Sequence, residues 1–227
     1  MGIAARLIDM AEAALFTEAE VAGVEGAGED FVRVDLVAPA FRAAKWVAGT
    51  KVQIRPPGDG RGLRTYTPTS WDVAEGRTSL LAYLHGDGPA SVWFRQVRVG
   101  DRVKLMGPRR SVEPPAAGEQ VLFVGDATSV ALARAFGTTG AALTCLFEAE
   151  RPAALDGLQP GAEVCEPADL LDRLRTVGSG MAGPYRLVVT GNAATVHAVR
   201  REIRSWSAPP AKVTGKAYWA AGRTGLD

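Results

Sequence analysis

Cysteine and histidine are scarce in this chain, with two of each among 227 residues, and neither Cys145 nor Cys165 sits in a CxxC or Cys/His spacing. This excludes a disulfide framework, a structural zinc and an iron–sulfur cluster from the reading, and no metal site is expected. Two histidines also leave no Ser/His/Asp or Cys/His pattern for nucleophilic catalysis, so any redox chemistry has to come from a bound cofactor. No apolar run approaches the ~18 residues of a membrane span. Asp9, Glu12, Glu18 and Glu20 interrupt the stretch where a signal peptide needs an unbroken apolar segment. The expectation is a cytoplasmic protein. Net charge is lacking as well: +1 overall, with 47% hydrophobic and 22% charged residues, is too apolar for disorder and too balanced for a nucleic-acid clamp.

What is present divides in two. The length suits two small domains, and the charge is uneven along it. Residues 1–35 carry eight acids and two bases, residues 36–113 six acids and thirteen bases, and residues 114–227 eleven of each. A middle segment at net +7 suits an anionic ligand, though a solvated Arg-rich sheet face has the same composition. Apolar spacing over Ile3–Phe16 predicts a first helix. Period-two runs then begin around Phe31–Leu36, Val52–Ile54, Leu63–Thr67, Ser79–Leu84 and Arg102–Met106, broken by turn clusters such as Pro56-Pro57-Gly58-Asp59-Gly60 and Gly100-Asp101. Such regularly spaced short strands predict a small antiparallel barrel. Past the stiff connector Glu113-Pro114-Pro115-Ala116-Ala117-Gly118, wholly apolar runs pass directly into helical patterns. Val121–Val124 leads through Gly125-Asp126 to a helix over Ser129–Phe136, Leu143–Phe147 forms the next strand, and Arg186–Val189 leads through Thr190-Gly191-Asn192 to a helix over Thr195–Trp206. This is the pattern of a parallel sheet covered on both faces. Ligands of such sheets bind at the carboxyl ends of strands, so Gly125-Asp126 and Gly191-Asn192 mark the candidate crevice, although an ordinary strand-to-helix turn has the same residues.

Two segments of the first half carry chemistry. In Arg64-Thr65-Tyr66-Thr67-Pro68 an Arg fork suits phosphate, a Tyr ring suits a flat aromatic, and Thr groups suit a ring nitrogen or carbonyl, with Pro68 expected to stop the strand. A β-prone strand with a surface Arg reads the same way. In His85-Gly86-Asp87-Gly88-Pro89-Ala90-Ser91-Val92-Trp93 small residues precede a helix start with Pro89 early in it, so free amides there attract a phosphate. A hairpin turn followed by a short capped helix fits equally.

Together with Gly100-Asp101 and Gly107-Pro108-Arg109, these segments resemble the siderophore-interacting proteins, the ferric-siderophore reductase branch of the ferredoxin–NADP⁺ reductase-like flavoproteins. The likeness continues in Val124-Gly125-Asp126-Ala127-Thr128 and in Tyr218-Trp219-Ala220-Ala221-Gly222-Arg223. The chain departs from that family's pattern at Ala127, where an acid is usual, at Thr190-Gly191-Asn192, at Ala220-Ala221 in place of an arginine pair, and at Gln53, where a lysine is often found. The resemblance implies a two-domain β plus α/β fold. An N-terminal six-stranded Greek-key β-barrel over 1–113 would bind FAD, and a Rossmann-like domain over 118–227 would bind NADH or NADPH. It implies FAD contacts from Arg64, Thr65, Tyr66, Thr67, His85, Gly88, Pro89, Ala90, Ser91 and Trp93. Nicotinamide-nucleotide contacts are implied at Gly125, Asp126, Thr128, Gly191 and Asn192, and Trp219 is implied to cover the flavin or the nicotinamide site, a core tryptophan fitting equally. The implied partner is an anionic ferric siderophore, with Lys45, Lys51, Arg55, Arg109 and Lys216 as its candidate contacts. The alternatives are a general flavin or ferric reductase, an electron donor to a redox protein, and a flavin- or siderophore-binding protein without turnover. Trp46, Trp71 and Trp206 are expected to pack, and His197 to lie at the surface of its helix.

Overall fold

The computed structural model describes residues 15–57 and 62–223. The helix expected over Ile3–Phe16 therefore lies outside the described residues except for its last two, as does the Gly58-Asp59-Gly60 part of the turn cluster. The chain divides into two compact units, Met1–Ser111 and Val112–Asp227.

The first unit is an antiparallel sheet in the order β4-β3-β7-β1-β2-β6-β5. Its strands are β1 (Thr17–Gly26), β2 (Phe31–Val37), β3 (Thr50–Arg55), β4 (Arg64–Tyr66), β5 (Pro68–Asp72), β6 (Arg77–Tyr83) and β7 (Arg102–Arg110). β4 and β5 stand at opposite ends of this order yet are separated in sequence by Thr67 alone. The run 64–72 thus leaves β3 and joins β6, closing the sheet into a barrel; counted as one strand, it makes the number six. Pro68 does not end the extended run, as its missing N–H suggested, but begins β5 where the chain changes partner. Alternation supplies the core: Val34 and Leu36, Val52 and Ile54, Leu80 and Ala82, and Val103 and Leu105 point inward and are buried together. Helix α1 (Pro89–Gln96) starts after Gly88 with Pro89 in its first turn and drops Phe94 into the same cluster.

The second unit is a parallel sheet in the order β10-β9-β8-β11-β12, formed by β8 (Gln120–Gly125), β9 (Ala142–Glu148), β10 (Glu163–Cys165), β11 (Arg186–Asn192) and β12 (Lys212–Trp219). Numbered within the unit this is 3-2-1-4-5, a doubly wound arrangement whose switch point falls between β8 and β11. Helices α2 (Val130–Gly137), α3 (Leu170–Ser179) and α4 (Ala193–Glu202) cover it. The last helix begins two residues earlier than its apolar pattern suggests, because Asn192 Oδ1 accepts the Ala194 amide and caps it. It ends at Glu202, and a 3-10 turn over Ile203–Ser205 leads to an extended Trp206.

Arg186, at the start of β11, is 2% exposed. Its guanidinium donates to Glu113 O at 2.8 Å, Pro114 O at 3.4 Å and Thr214 Oγ1 at 3.1 Å, pinning the connector to the sheet. Trp71 and Trp206 pack against the two cores, while Trp46 is half-buried and His197 is exposed. Burial pushes the Cys145 thiol up to about 12 and Cys165 up to about 11, which keeps both in the unreactive thiol form. No helix among the described residues is long and apolar enough to cross a membrane.

Candidate cofactor and nucleotide sites

In the first unit the two informative segments meet. The Tyr66 ring on β4 stands edge-on to Phe94 of α1, centroids 5.0 Å apart, so the Arg64-Thr65-Tyr66 strand runs beside the helix. Arg64 and Thr65 are exposed, and Thr67 is half-buried. Burial raises the Tyr66 phenol against the opposing influence of the Arg64 charge, keeping it protonated as a hydrogen-bond donor. Gly88 precedes α1 with no side chain capping the helix amides, and added Cβ atoms at Gly86 or Gly88 would meet nothing within 4 Å. A helix start without a side-chain cap, open space at Gly86 and Gly88, and an exposed Arg64 on the strand that carries Tyr66 fit a phosphate-bearing cofactor such as FAD.

The remaining residues of that segment divide by direction. Ala90 and Ser91 are buried, and the Ser91 hydroxyl donates to His85 O at 2.7 Å, so it shapes the loop from within. Trp93 packs on Phe94 at 4.7 Å against the core, and the exposed His85 ring lies 5.4 Å from Tyr83. Arg95 escaped the sequence reading. From the last turn of α1 it donates to Gly86 O at 2.8 Å and Leu84 O at 3.4 Å and pairs with Asp87 at 3.3 Å, holding the loop from outside. Only its position seven residues after Gly88 hinted at this. Arg95→Ala is expected to weaken FAD binding about three- to tenfold with little change in Tm, read by titration of flavin fluorescence. Unchanged affinity would show that the loop keeps its shape without Arg95.

Of the basic candidates, Lys51 and Arg109 stand directly opposite each other on β3 and β7, and Arg55, four residues further along β3, faces Lys104. The Arg55 guanidinium also lies over the Phe16 ring, 4.1 Å from its centroid, so part of its cationic face is already engaged. Lys45 is exposed after the 3-10 turn Pro39–Ala43. Lys216 is half-buried on β12 of the second unit, in register with Thr190.

The second unit brings Gly125, Asp126, Thr128, Gly191, Asn192 and Trp219 together at its switch point. Asp126, just past β8, is 7% exposed. Its Oδ1 accepts from Thr128 N at 2.9 Å, Thr128 Oγ1 at 2.5 Å and Ser129 Oγ at 3.4 Å, and its Oδ2 from Asn192 N at 2.9 Å and Trp219 Nε1 at 2.7 Å. The expected nucleotide contact is thus an inward-facing carboxylate. Ser129 Oγ in turn accepts from Thr190 Oγ1 at 2.8 Å. Gly191 has φ +110°, and a Cβ there would run into the Asp126 carboxylate. A Cβ on Gly125 would come within 2.5 Å of Ser129 Cβ, so both turns close tightly around small residues.

A second buried carboxylate stands beside the first. Glu148 ends β9 at 8% exposure and accepts from Thr195 Oγ1 at 2.6 Å. Burial raises its pKa above the ordinary 4.5, the Thr195 hydrogen bond lowers it, and the Asp126 and Glu150 charges raise it further. The native state therefore holds this proton more tightly than the unfolded chain. The resulting stability is present below the ordinary pKa and is lost as pH rises through the raised one. Glu148→Gln keeps the Thr195 acceptor and cannot ionise. It is expected to raise Tm at pH 7–8, with the gain vanishing near pH 4. Thermal unfolding across that range reads it, and an equal gain at every pH would refute the assignment.

The barrel and the parallel sheet have the ferredoxin–NADP reductase-like two-domain fold. Residues 10–112 match the model of the siderophore-interacting FAD-binding domain. FAD is accordingly the cofactor of the first unit. A siderophore utilization protein from T. fusca shares the fold at TM-score 0.72 and 21% identity, over 93% of this chain and 95% of that one. Phthalate dioxygenase reductase shares it at TM-score 0.71 and 15% identity, over 92% and 70%. Among curated sequences, NADH–cytochrome b5 reductase 1 from Arabidopsis thaliana is 39% identical over 54 residues, which cover 22% of this chain and 19% of that protein's length.

Proposed function

We propose that the protein is an NAD(P)H-dependent FAD reductase whose acceptor is Fe(III) held in an anionic siderophore. FAD, held by the first unit, would supply the chemistry that links a two-electron hydride donor to a one-electron iron acceptor. The protein's own residues bind and orient. Arg64 places a fixed charge against the cofactor phosphates, the amides at the start of α1 donate to the pyrophosphate, and Thr65 and Thr67 hydrogen-bond at the ring edge. Tyr66 packs near the ring with its hydroxyl protonated. In the second unit the turns at Gly125–Thr128 and Gly191–Asn192 receive the nicotinamide nucleotide at the strand ends. Lys45, Lys51, Arg55, Arg109 and Lys216 attract the anionic ferric complex. The compartment we assign is the cytoplasm, where reduced nicotinamide nucleotide is at hand.

The observation that most supports this reading is the seating of the Arg64–Tyr66 strand on α1 through the Tyr66–Phe94 contact, within a stretch matched by a siderophore-interacting FAD-binding domain. Electron donation to a redox protein is a second reading, favoured by the shared fold with phthalate dioxygenase reductase. An anaerobic acceptor panel separates them. With NADH or NADPH as donor, saturable Fe(II) formation from ferric siderophores, trapped by an Fe(II) chelator, is the expected result. Turnover with iron–sulfur or haem proteins alone would instead establish the second reading.

A further inference from the structure

We propose that Asp126 is a positioning residue for nucleotide binding: without touching the nucleotide, it holds the 190–192 turn and Trp219 in the one arrangement that receives it. The proposal rests on reading the second unit as the nicotinamide-nucleotide domain. A carboxylate offers about four lone-pair sites, and Asp126 already accepts from two amides, two hydroxyls and one indole N–H, so it has no capacity left for a ribose or an amide of the ligand. A bare acid beside strand-end turns would also repel a pyrophosphate, and these donors offset that charge from within.

The donors come from three separate parts of the unit. Thr128 and Ser129 follow β8, Asn192 ends β11, and Trp219 ends β12. One side chain therefore fixes three strand ends against one another. The β11–β12 register supports a built feature. Gly191 pairs with Ala217 but Asn192 pairs with Trp219, so Tyr218 is an extra residue and the irregularity re-aims the last side chain of β12. The indole N–H reaches Asp126 Oδ2 while the residue stays 40% exposed, which leaves ring surface open at the strand ends. Gly191, which has no side chain, lets the turn close over the same oxygen.

Two variants test this in FAD-loaded protein. Asp126→Asn keeps the volume but turns an N–H₂ toward N–H or O–H donors whichever way the amide is set. Trp219→Phe keeps a ring and removes only the indole donor. Dissociation constants for NADH, NADPH and their oxidised forms are measured by calorimetry, alongside KM and kcat for flavin reduction. The expected result is about tenfold weaker nucleotide binding in each variant, the size of a lost hydrogen bond to a charged group. The loss should appear in KM with kcat held within about twofold, FAD affinity should not change, and Trp219→Phe should cost little more in the Asp126→Asn background. Nucleotide affinity equal to the parent protein's, or losses that simply add, would overturn the positioning role. If Asp126→Asn does not fold, Trp219→Phe decides alone by the same criterion. A parent protein that binds neither nucleotide overturns the domain reading and this proposal with it, whereas tight binding by parent and variants alike overturns the proposal only.

Discussion

Gly191→Ala is expected to abolish nucleotide-dependent reduction while leaving FAD uptake intact. The residue sits at φ +110°, where an alanine is strained, and the added methyl would run into the Asp126 carboxylate. Neither neighbour can give way cheaply. Asp126 is held by donors from three strand ends, and the turn is fixed by the Asn192 amide bound to the same oxygen and by the Asn192 cap on α4. We expect about 3 kcal/mol or more of destabilisation in the second unit. Reduction of the flavin by NADH or NADPH should fall by more than about a hundredfold, because a pre-formed site rather than one contact is lost. Gly222→Ala is the control: it also has positive φ, at +73°, but a Cβ there meets nothing within 4 Å. It should cost only the backbone term, about 1 kcal/mol. Stopped-flow reduction together with a flavin titration reads both variants. A Gly191→Ala protein reduced at the parent rate would show that the turn does not belong to the nucleotide site.

Arg64→Ala is expected to lower FAD affinity about tenfold to a hundredfold, since a charge-assisted phosphate contact is worth roughly 1.5–3 kcal/mol. Arg64 lies exposed on a strand of three residues that pairs with β3 at Ile54, so its removal should leave the barrel core undisturbed and Tm of the flavin-free protein nearly unchanged. Arg64→Lys should fall between, keeping the charge and losing the planar fork. Flavin-fluorescence titration of the three proteins gives the order directly. Equal affinities would remove Arg64 from the cofactor site.

The large divisions of this fold are legible in the sequence, because period-two strands and apolar strand-to-helix runs bury different amounts of surface and so differ in composition. Val121–Val124 is apolar throughout because β8 is covered on both faces; Val32, Val34 and Leu36 alternate with polar residues because β2 faces the core on one side. The strand-end position of Gly125 and Gly191 follows from the same grammar. What could not be read depends on partners far along the chain. Whether the Asp126 carboxylate faces a ligand or the fold is decided by Asn192 and Trp219, 66 and 93 positions away. Nothing in the run Arg186–Val189 signals that its arginine is buried, and that burial rests on connector carbonyls some 72 positions earlier and on Thr214. Pro68 signals a stop locally, yet closure of the barrel needs the chain to go on, and the change of partner satisfies both requirements. β10 is three residues long, too short for any period to register.

Electron transfer from nicotinamide to flavin is the step on which the proposed function depends. The most direct test is the visible spectrum of the FAD-loaded protein, kept anaerobic and titrated with NADH and then with NADPH. The bound-flavin band is expected to bleach with one nucleotide or both and to return when a ferric siderophore is added. A protein that binds FAD but keeps an unbleached spectrum with saturating amounts of both nucleotides would contradict the proposed function.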